Sequence, residues 1–283
     1  MFKIDTRNEK LKRVIHNVLL NKKLQTYWVC SNINAIDRMG FNDHGQKHIE
    51  IVIKNALTMF NILKSRGVYS NIIKHYAKNP FVKNYGFSHD DSEVIIFLAA
   101  CTHDIGHAVS RKDHHFHSTY LALPLLEEIL DDIYQEEQRT IITSEILHCL
   151  ATNYAKKKPL TLEASILRVA DALDMAAGRA RIAFKSNAVI PGKKKGEFTI
   201  ITTDEKPVIH QTSSLGIKEI IIKPAQEKPI LIEILVVDSS AIFQIDELLR
   251  KKIRGTGLEK YIQLIIRRVP GKTHQFKKIN FKI

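Results

Sequence analysis

The stretch FLAACTHDIGH, residues 97–107, decides how this chain is read. It closes the apolar run Val94–Cys101 with the dipeptide His103-Asp104, and Gly106 follows at once. An aspartate just past such a run, three residues after Cys101, is costly to bury without a partner. Two adjacent residues in mid-helix diverge by about 100°. At a frayed helix end, with a glycine just beyond, both can turn toward one ion. The plainer alternative has Asp104 capping the helix or leading the chain out to solvent.

Two further residues extend the pattern. Upstream, His48 shares a helical face with Val52 and Ala56, so it points toward the core. A lone core-facing histidine is more often hydrogen-bonded packing than a ligand. However, ten of the thirteen histidines fall between His44 and His148, and neutral imidazole is the commonest biological metal ligand. Downstream, Asp171 is flanked by Leu167, Val169, Ala170, Ala172 and Leu173. A carboxylate in so apolar a setting needs a cation, either Arg168 one turn earlier or a metal. Asp174 either orients a ligand histidine or pairs with Arg181 or Lys158, and the ion pair is the expected arrangement.

The set His48…His103-Asp104…Asp171, in the contexts HIEIVIKNA, FLAACTHDIGH and ILRVADALD, resembles the HD superfamily of metal-dependent phosphohydrolases over roughly residues 40–185. The resemblance implies that His48, His103, Asp104 and Asp171 hold one divalent metal. Mixed nitrogen and oxygen donors suit Mn, Fe, Co, Ni, Zn or Mg. His103 and Asp104 are then the catalytic pair, at a metal that acidifies a water and offsets charge on the phosphoryl group. His44 competes with His48 as first ligand, and His48 is preferred because Val52 and Ala56 follow at the family's spacing.

Some members of the superfamily hold a second metal. Candidates for it, or for phosphate contacts, are His107, His114, His115, His117 and His148, with His115 and His148 the expected ligands. Arg111, Lys112 and Arg179 are candidate phosphate clamps, since a guanidinium can grip phosphate through two hydrogen bonds. The chain lacks the GYP signature of cyclic dinucleotide phosphodiesterases and the PFGH continuation of dNTP triphosphohydrolases, so those narrower assignments lose support.

The fold expected is mostly α: a helical HD-domain bundle over residues 1–190, then a small, basic α+β accessory domain over 191–283. Helical periodicity marks Leu11–Leu19, Val52–Leu63, Glu93–Cys101, Thr119–Ile133, Arg139–Leu150 and Leu162–Phe184, the last with Thr161 as N-cap. Pro80–Asp91 and Ser110–His117 read as loops. Pro191–Gly196 reads as a linker or hairpin turn. Beyond it Phe198–Thr202, Ile217–Lys223, Ile230–Val237, Tyr261–Val269 and Phe276–Ile283 read as strands. One helix, Ala241–Arg254, interrupts them; Asp238, Ser239 or Ser240 caps its start and Gly255 its end. This part is also similar to the α+β domain appended to some uncharacterised HD proteins.

The chain has 283 residues and a formal net charge of +13, of which residues 191–283 carry +8. Such an excess favours anionic partners. A small phosphate-containing substrate is expected, with nucleic acid as a rival partner; the C-terminal domain is expected to help form a homodimer, bind substrate or regulate. No apolar run approaches a membrane span, and no apolar segment follows the charged start, so no membrane or secretory role is expected. Cys30, Cys101 and Cys149 lack metal-ligand spacing and suit a reducing cytoplasm. Gly271-Lys272-Thr273 imitates a P-loop but lacks its first glycine, since Ile266 stands there. The expected function is hydrolysis of a nucleotide or other small phosphoester by a metal-activated water. The alternative is a non-catalytic nucleotide-sensing or RNA-binding protein that uses the basic C-terminal domain.

Overall fold

A helix that is apolar on every side must be covered on every side. In the computed structural model, which describes residues 4–154, 156–175, 189–191, 198–200, 216–239, 241–269 and 278–281, that helix is the axis of the N-terminal part. Its residues Val94–Cys101 are all fully buried. In chain order the helices are α1 (Glu9–Leu20), α2 (Lys22–Asn32), α3 (Gln46–Ser65), α4 (His89–Thr102), α5 (His114–Leu130), α6 (Glu136–Thr152) and α7 (Leu162–Ala172). α1, α3, α6 and α7 pack directly around α4, and α5 closes on α6.

The helix starts follow capping chemistry. Asn8 accepts from the Leu11 N–H at 3.0 Å, Asn21 from Leu24 at 2.8 Å, and Thr161 from Ala164 at 3.2 Å. Ser88 and Asp91 form a capping box, so α4 begins at His89, inside the segment expected as a loop. Its first turn is polar and its remainder apolar all round, which leaves no one-sided period to detect. α5 likewise begins at His114, not after His117; its first turn is rich in histidines, of which His114 faces the polar site, and shows no apolar period. α7 ends at Ala172, well short of Phe184; Leu173–Met175 are described and non-helical, and residues 176–184 lie outside the described residues.

The C-terminal part has β1 (Val189–Pro191) antiparallel to β2 (Phe198–Ile200), with Pro191 opposite Phe198, as a hairpin requires. A four-stranded sheet follows in the order β3 (Ile217–Pro224), β4 (Ile230–Val236), β5 (Ile262–Arg268), β6 (Lys278–Phe281). β4 and β5 are parallel and the other pairs antiparallel. Parallel neighbours need a crossover. Here it is a helical stretch, α8, made of Ala241–Phe243, the wide turns of Gln244–Arg250, and Lys251–Ile253. Gly255, with φ +78°, ends it in the left-handed conformation that glycine tolerates best. On β4, Glu233 is buried but paired with Lys223 at 2.8 Å and Arg267 at 2.5 Å.

The expected class, mostly α with a small α+β part, is the observed one. Contacts that join the parts include the Ser165 Oγ hydrogen bond to the Thr256 carbonyl at 2.9 Å and the packing of α8 on α7 and of β3 on α3. Among the described residues no helix is long and apolar enough to cross a membrane.

Candidate metal centre

The C-terminal end of α4 leaves carbonyls without helical partners. Side chains from α2 and the turns that continue it supply the donors. Trp28 Nε1 donates to the Cys101 carbonyl at 2.8 Å, Ser31 Oγ to Asp104 at 3.1 Å, and Asn34 Nδ2 to His107 at 2.8 Å. These donors recur every three residues on one helical face. From α5, Ser118 Oγ donates to the His103 carbonyl at 2.6 Å and accepts from the Gly106 N–H at 2.9 Å. A Cβ at Gly106 would stand 2.0 Å from the His114 carbonyl oxygen, so the motif's glycine is a packing requirement. The turn after α4 is thereby fixed, with His103 and Asp104 both facing inward.

His48, His103, Asp104 and Asp171 meet at one point. His48 Nε2 lies 3.1 Å from His103 Nε2, 3.2 Å from Asp104 Oδ2 and 3.5 Å from Asp171 Oδ1. His103 Nε2 lies 3.3 Å from Asp104 Oδ2 and 3.8 Å from Asp171 Oδ1. Ligands about 2.1 Å from one ion stand about 3.0–3.4 Å apart in octahedral or tetrahedral arrangement. The donors therefore fit a divalent metal.

The tautomers point the same way. His48 Nδ1–H is committed to Asp174 Oδ2 at 2.6 Å, and His103 Nδ1–H to the Ala100 carbonyl at 2.9 Å. In the neutral rings both Nε2 lone pairs then face each other, which is repulsive unless a cation or proton lies between them. Burial disfavours charge on His103, but Asp104 and Asp171 outweigh it and push its pKa up to about 10. Burial would raise Asp104, yet His103 and His48 hold its carboxyl well below the usual range. Asp171 is also held low against burial, chiefly by Lys252.

Asp171 takes a partner other than the expected Arg168, and Asp174 reaches a ligand histidine, one of its two expected roles. Arg168 is turned away from Asp171: its guanidinium donates to the carbonyls of Thr152, Tyr154 and Lys157 at the end of α6. The cation on Asp171 is Lys252 of α8, whose Nζ lies 2.6 Å from Oδ2; Asn153 Nδ2 contacts the same oxygen at 3.2 Å. Asp174 lies just past the end of α7, which lets it reach His48. Arg181 and Arg179 lie outside the described residues. No sequence signal singles out Lys252, which is 81 residues from its partner in sequence.

The second oxygen of Asp104 faces another cluster. Asp104 Oδ1 lies 3.6 Å from His114 Nε2 and 3.8 Å from His107 Nε2. His107 stacks on His114 at 4.0 Å and meets His44 at 4.5 Å between ring centroids. His44, Asp104 and His107 each offer a ligand atom, all within 4.8 Å of one another. Burial pushes His107 down to about 3 and lowers His114 as well, so both rings are neutral. His44 and His48 thus face different ends of the centre.

His115 and His148, the residues expected to be second-site ligands, are not brought to it. His115 leaves the helix about 100° away from His114 and stacks on Tyr154 at 4.9 Å. His148 Nε2 accepts from the Leu160 N–H at 3.0 Å, which occupies its lone pair. Of the proposed clamps, Arg111 lines the site with its guanidinium 3.5 Å from the Phe41 ring centroid, whereas Lys112 is exposed and outside the lining.

The centre opens into a cavity of about 210 Å³ whose walls include Asp104, His107, Arg111, Asp171 and, from α8, Gln244 and Lys252. A roomier cavity of about 860 Å³ lies along the other face of α3, between Lys47, Lys54, Lys64 and the N-terminal segment. It holds none of the histidines.

The HD domain family matches residues 47–176. The chain is also 38% identical to an uncharacterized protein of the archaeon Methanocaldococcus jannaschii, over 90% of this chain and 88% of that one. No solved structure matches.

Proposed function

The chain belongs to the HD-domain family, generally metal-dependent phosphohydrolases, and from that premise we propose that it hydrolyses a small phosphate ester, a nucleotide being the favoured class. The observation that carries the proposal is the convergence of His48 Nε2, His103 Nε2, Asp104 Oδ2 and Asp171 Oδ1 within 3.8 Å of one another across the pairs measured. These four residues would hold a divalent ion. Such an ion supplies acidification of a water and compensation of phosphoryl charge. The protein's own part is positional: Asp174 and the Ala100 carbonyl fix the two imidazoles, and Lys252 with Asn153 fixes Asp171.

We further propose a second ion at His44, His107 and Asp104 Oδ1, with His114 beside it. Asp104 supports this reading because its two oxygens divide between the two groups. A cavity of about 210 Å³ is below the usual range for a drug-sized ligand, roughly 300 Å³ upward. It suits a phosphoryl group, with the rest of the substrate outside.

Asp104→Ala should abolish both metal retention and hydrolysis of an aryl phosphate while circular dichroism remains that of the folded protein. A pure, Mn²⁺-loaded preparation that turns over no phosphomonoester, phosphodiester or nucleotide would end the enzyme reading. Salt-dependent RNA affinity in that preparation would favour the binding alternative.

A further inference from the structure

We propose that Lys252, on α8 of the C-terminal part, is the docking cation for the phosphoryl group at the metal centre. The inference rests on the metal site proposed above and gives the C-terminal part a role within it. Lys252 Nζ lies 2.6 Å from Asp171 Oδ2, the oxygen turned away from the four converging donors. It therefore does not stand in the ion's place; it leaves Oδ1 for the ion. One N–H is used on Asp171. An ammonium has three, and among the described residues no other partner of Lys252 is found. Its side chain is 24% exposed and lines the same cavity as Asp104, Arg111 and His114.

The position of Lys252 is fixed by the fold. The Ser165–Thr256 hydrogen bond of 2.9 Å pins the end of α8 to the start of α7, and Ile253 beside Lys252 is fully buried. Charge then makes docking conditional on metal. Among the described residues, three carboxylates and two fixed cations, Arg111 and Lys252, line the cavity. A divalent ion adds positive charge to this balance. With Asp171 then shared with the ion, the ammonium's remaining donors can meet a phosphoryl oxygen through a charge-assisted bond.

The test is calorimetric titration of inorganic phosphate into the full-length protein saturated with Mn²⁺, its bound Mn²⁺ measured first, and into the metal-free protein. Wild type should bind phosphate only when loaded. Lys252→Met, still loaded, should bind it about tenfold more weakly or worse, and Lys252→Arg should recover most of the affinity. Lys252→Gln serves if the Met variant misfolds. Phosphate binding equal to wild type in a loaded Lys252→Met protein overturns the inference, and so does failure of that variant to load, which would limit Lys252 to holding Asp171. Wild type that takes Mn²⁺ but no phosphate overturns the inference alone. Wild type that takes no Mn²⁺ overturns the metal reading as well.

Discussion

His48 and Asp174 are joined by a 2.6 Å contact from Nδ1 to Oδ2, both side chains almost fully buried. A carboxylate behind a ligand imidazole fixes its tautomer and orientation, and losing such a partner typically weakens metal affinity about 10- to 100-fold. Asp174→Ala should therefore lower Mn²⁺ affinity by that range, with Asp174→Asn falling between the variant and wild type. Isothermal titration gives the answer directly, and an unchanged dissociation constant would show that His48 needs no support.

His103 carries the pH dependence. Without metal its proton is held up to about pH 10. An ion must take the lone pair that this proton occupies, so binding at neutral pH releases a proton. Affinity should then rise by about tenfold per pH unit between about pH 6 and 8. Titrations in buffers of different ionisation enthalpy measure the protons released; a value of zero contradicts the assignment.

If Asp104 serves two ions, His107→Ala should remove one of them. Wild type should carry two Mn²⁺ per chain by elemental analysis and the variant one, with His48→Ala affecting the other ion. Single occupancy in wild type would instead leave His44, His107 and His114 to contact the substrate's phosphate. His107 suits a ligand role because burial keeps its ring neutral, near a pKa of 3.

The four converging residues were legible because each occupies a helix end or face in apolar surroundings, where an unpaired polar group is costly. The strands beyond residue 216 were legible from their β-branched runs. The choice between the remaining histidines was not. His114 and His115 are neighbours in sequence but diverge on α5, and only packing decides which one faces Asp104. Arg168 was the reasonable partner for Asp171 from helical spacing, yet the carbonyls at the end of α6 claim it. Lys252 comes from the other part of the chain, and no local pattern could have found it.

Gly106 tests whether the motif's glycine is structural. A methyl group there would press on the His114 carbonyl oxygen at 2.0 Å and the Ser118 nitrogen at 2.6 Å, both backbone atoms that cannot swing aside. Gly106→Ala should cost about 3 kcal/mol or more, at or beyond the upper end for overpacking. It should also weaken Mn²⁺ binding, because the same turn carries Asp104. A urea midpoint close to wild type would mean that the turn and α5 can separate freely.

Glu163 lies away from the metal centre, fully buried near the start of α7, where Ser92 Oγ donates to Oε1 at 2.9 Å and Oε2 has no partner. Burial raises its pKa from 4.5 to about 6. Between those values the folded protein holds a proton that the unfolded chain has lost, so stability falls as pH rises through this window and is level above it. A shift of that size is worth about 2 kcal/mol. Glu163→Gln keeps an acceptor for Ser92 and removes the charge. It should therefore raise the melting temperature at pH 8 while changing it little at pH 4.5, where Glu163 is already neutral in the folded state. Thermal melts of both proteins across that range decide the matter, since a gain of equal size at every pH would trace the effect to packing and not to the buried charge.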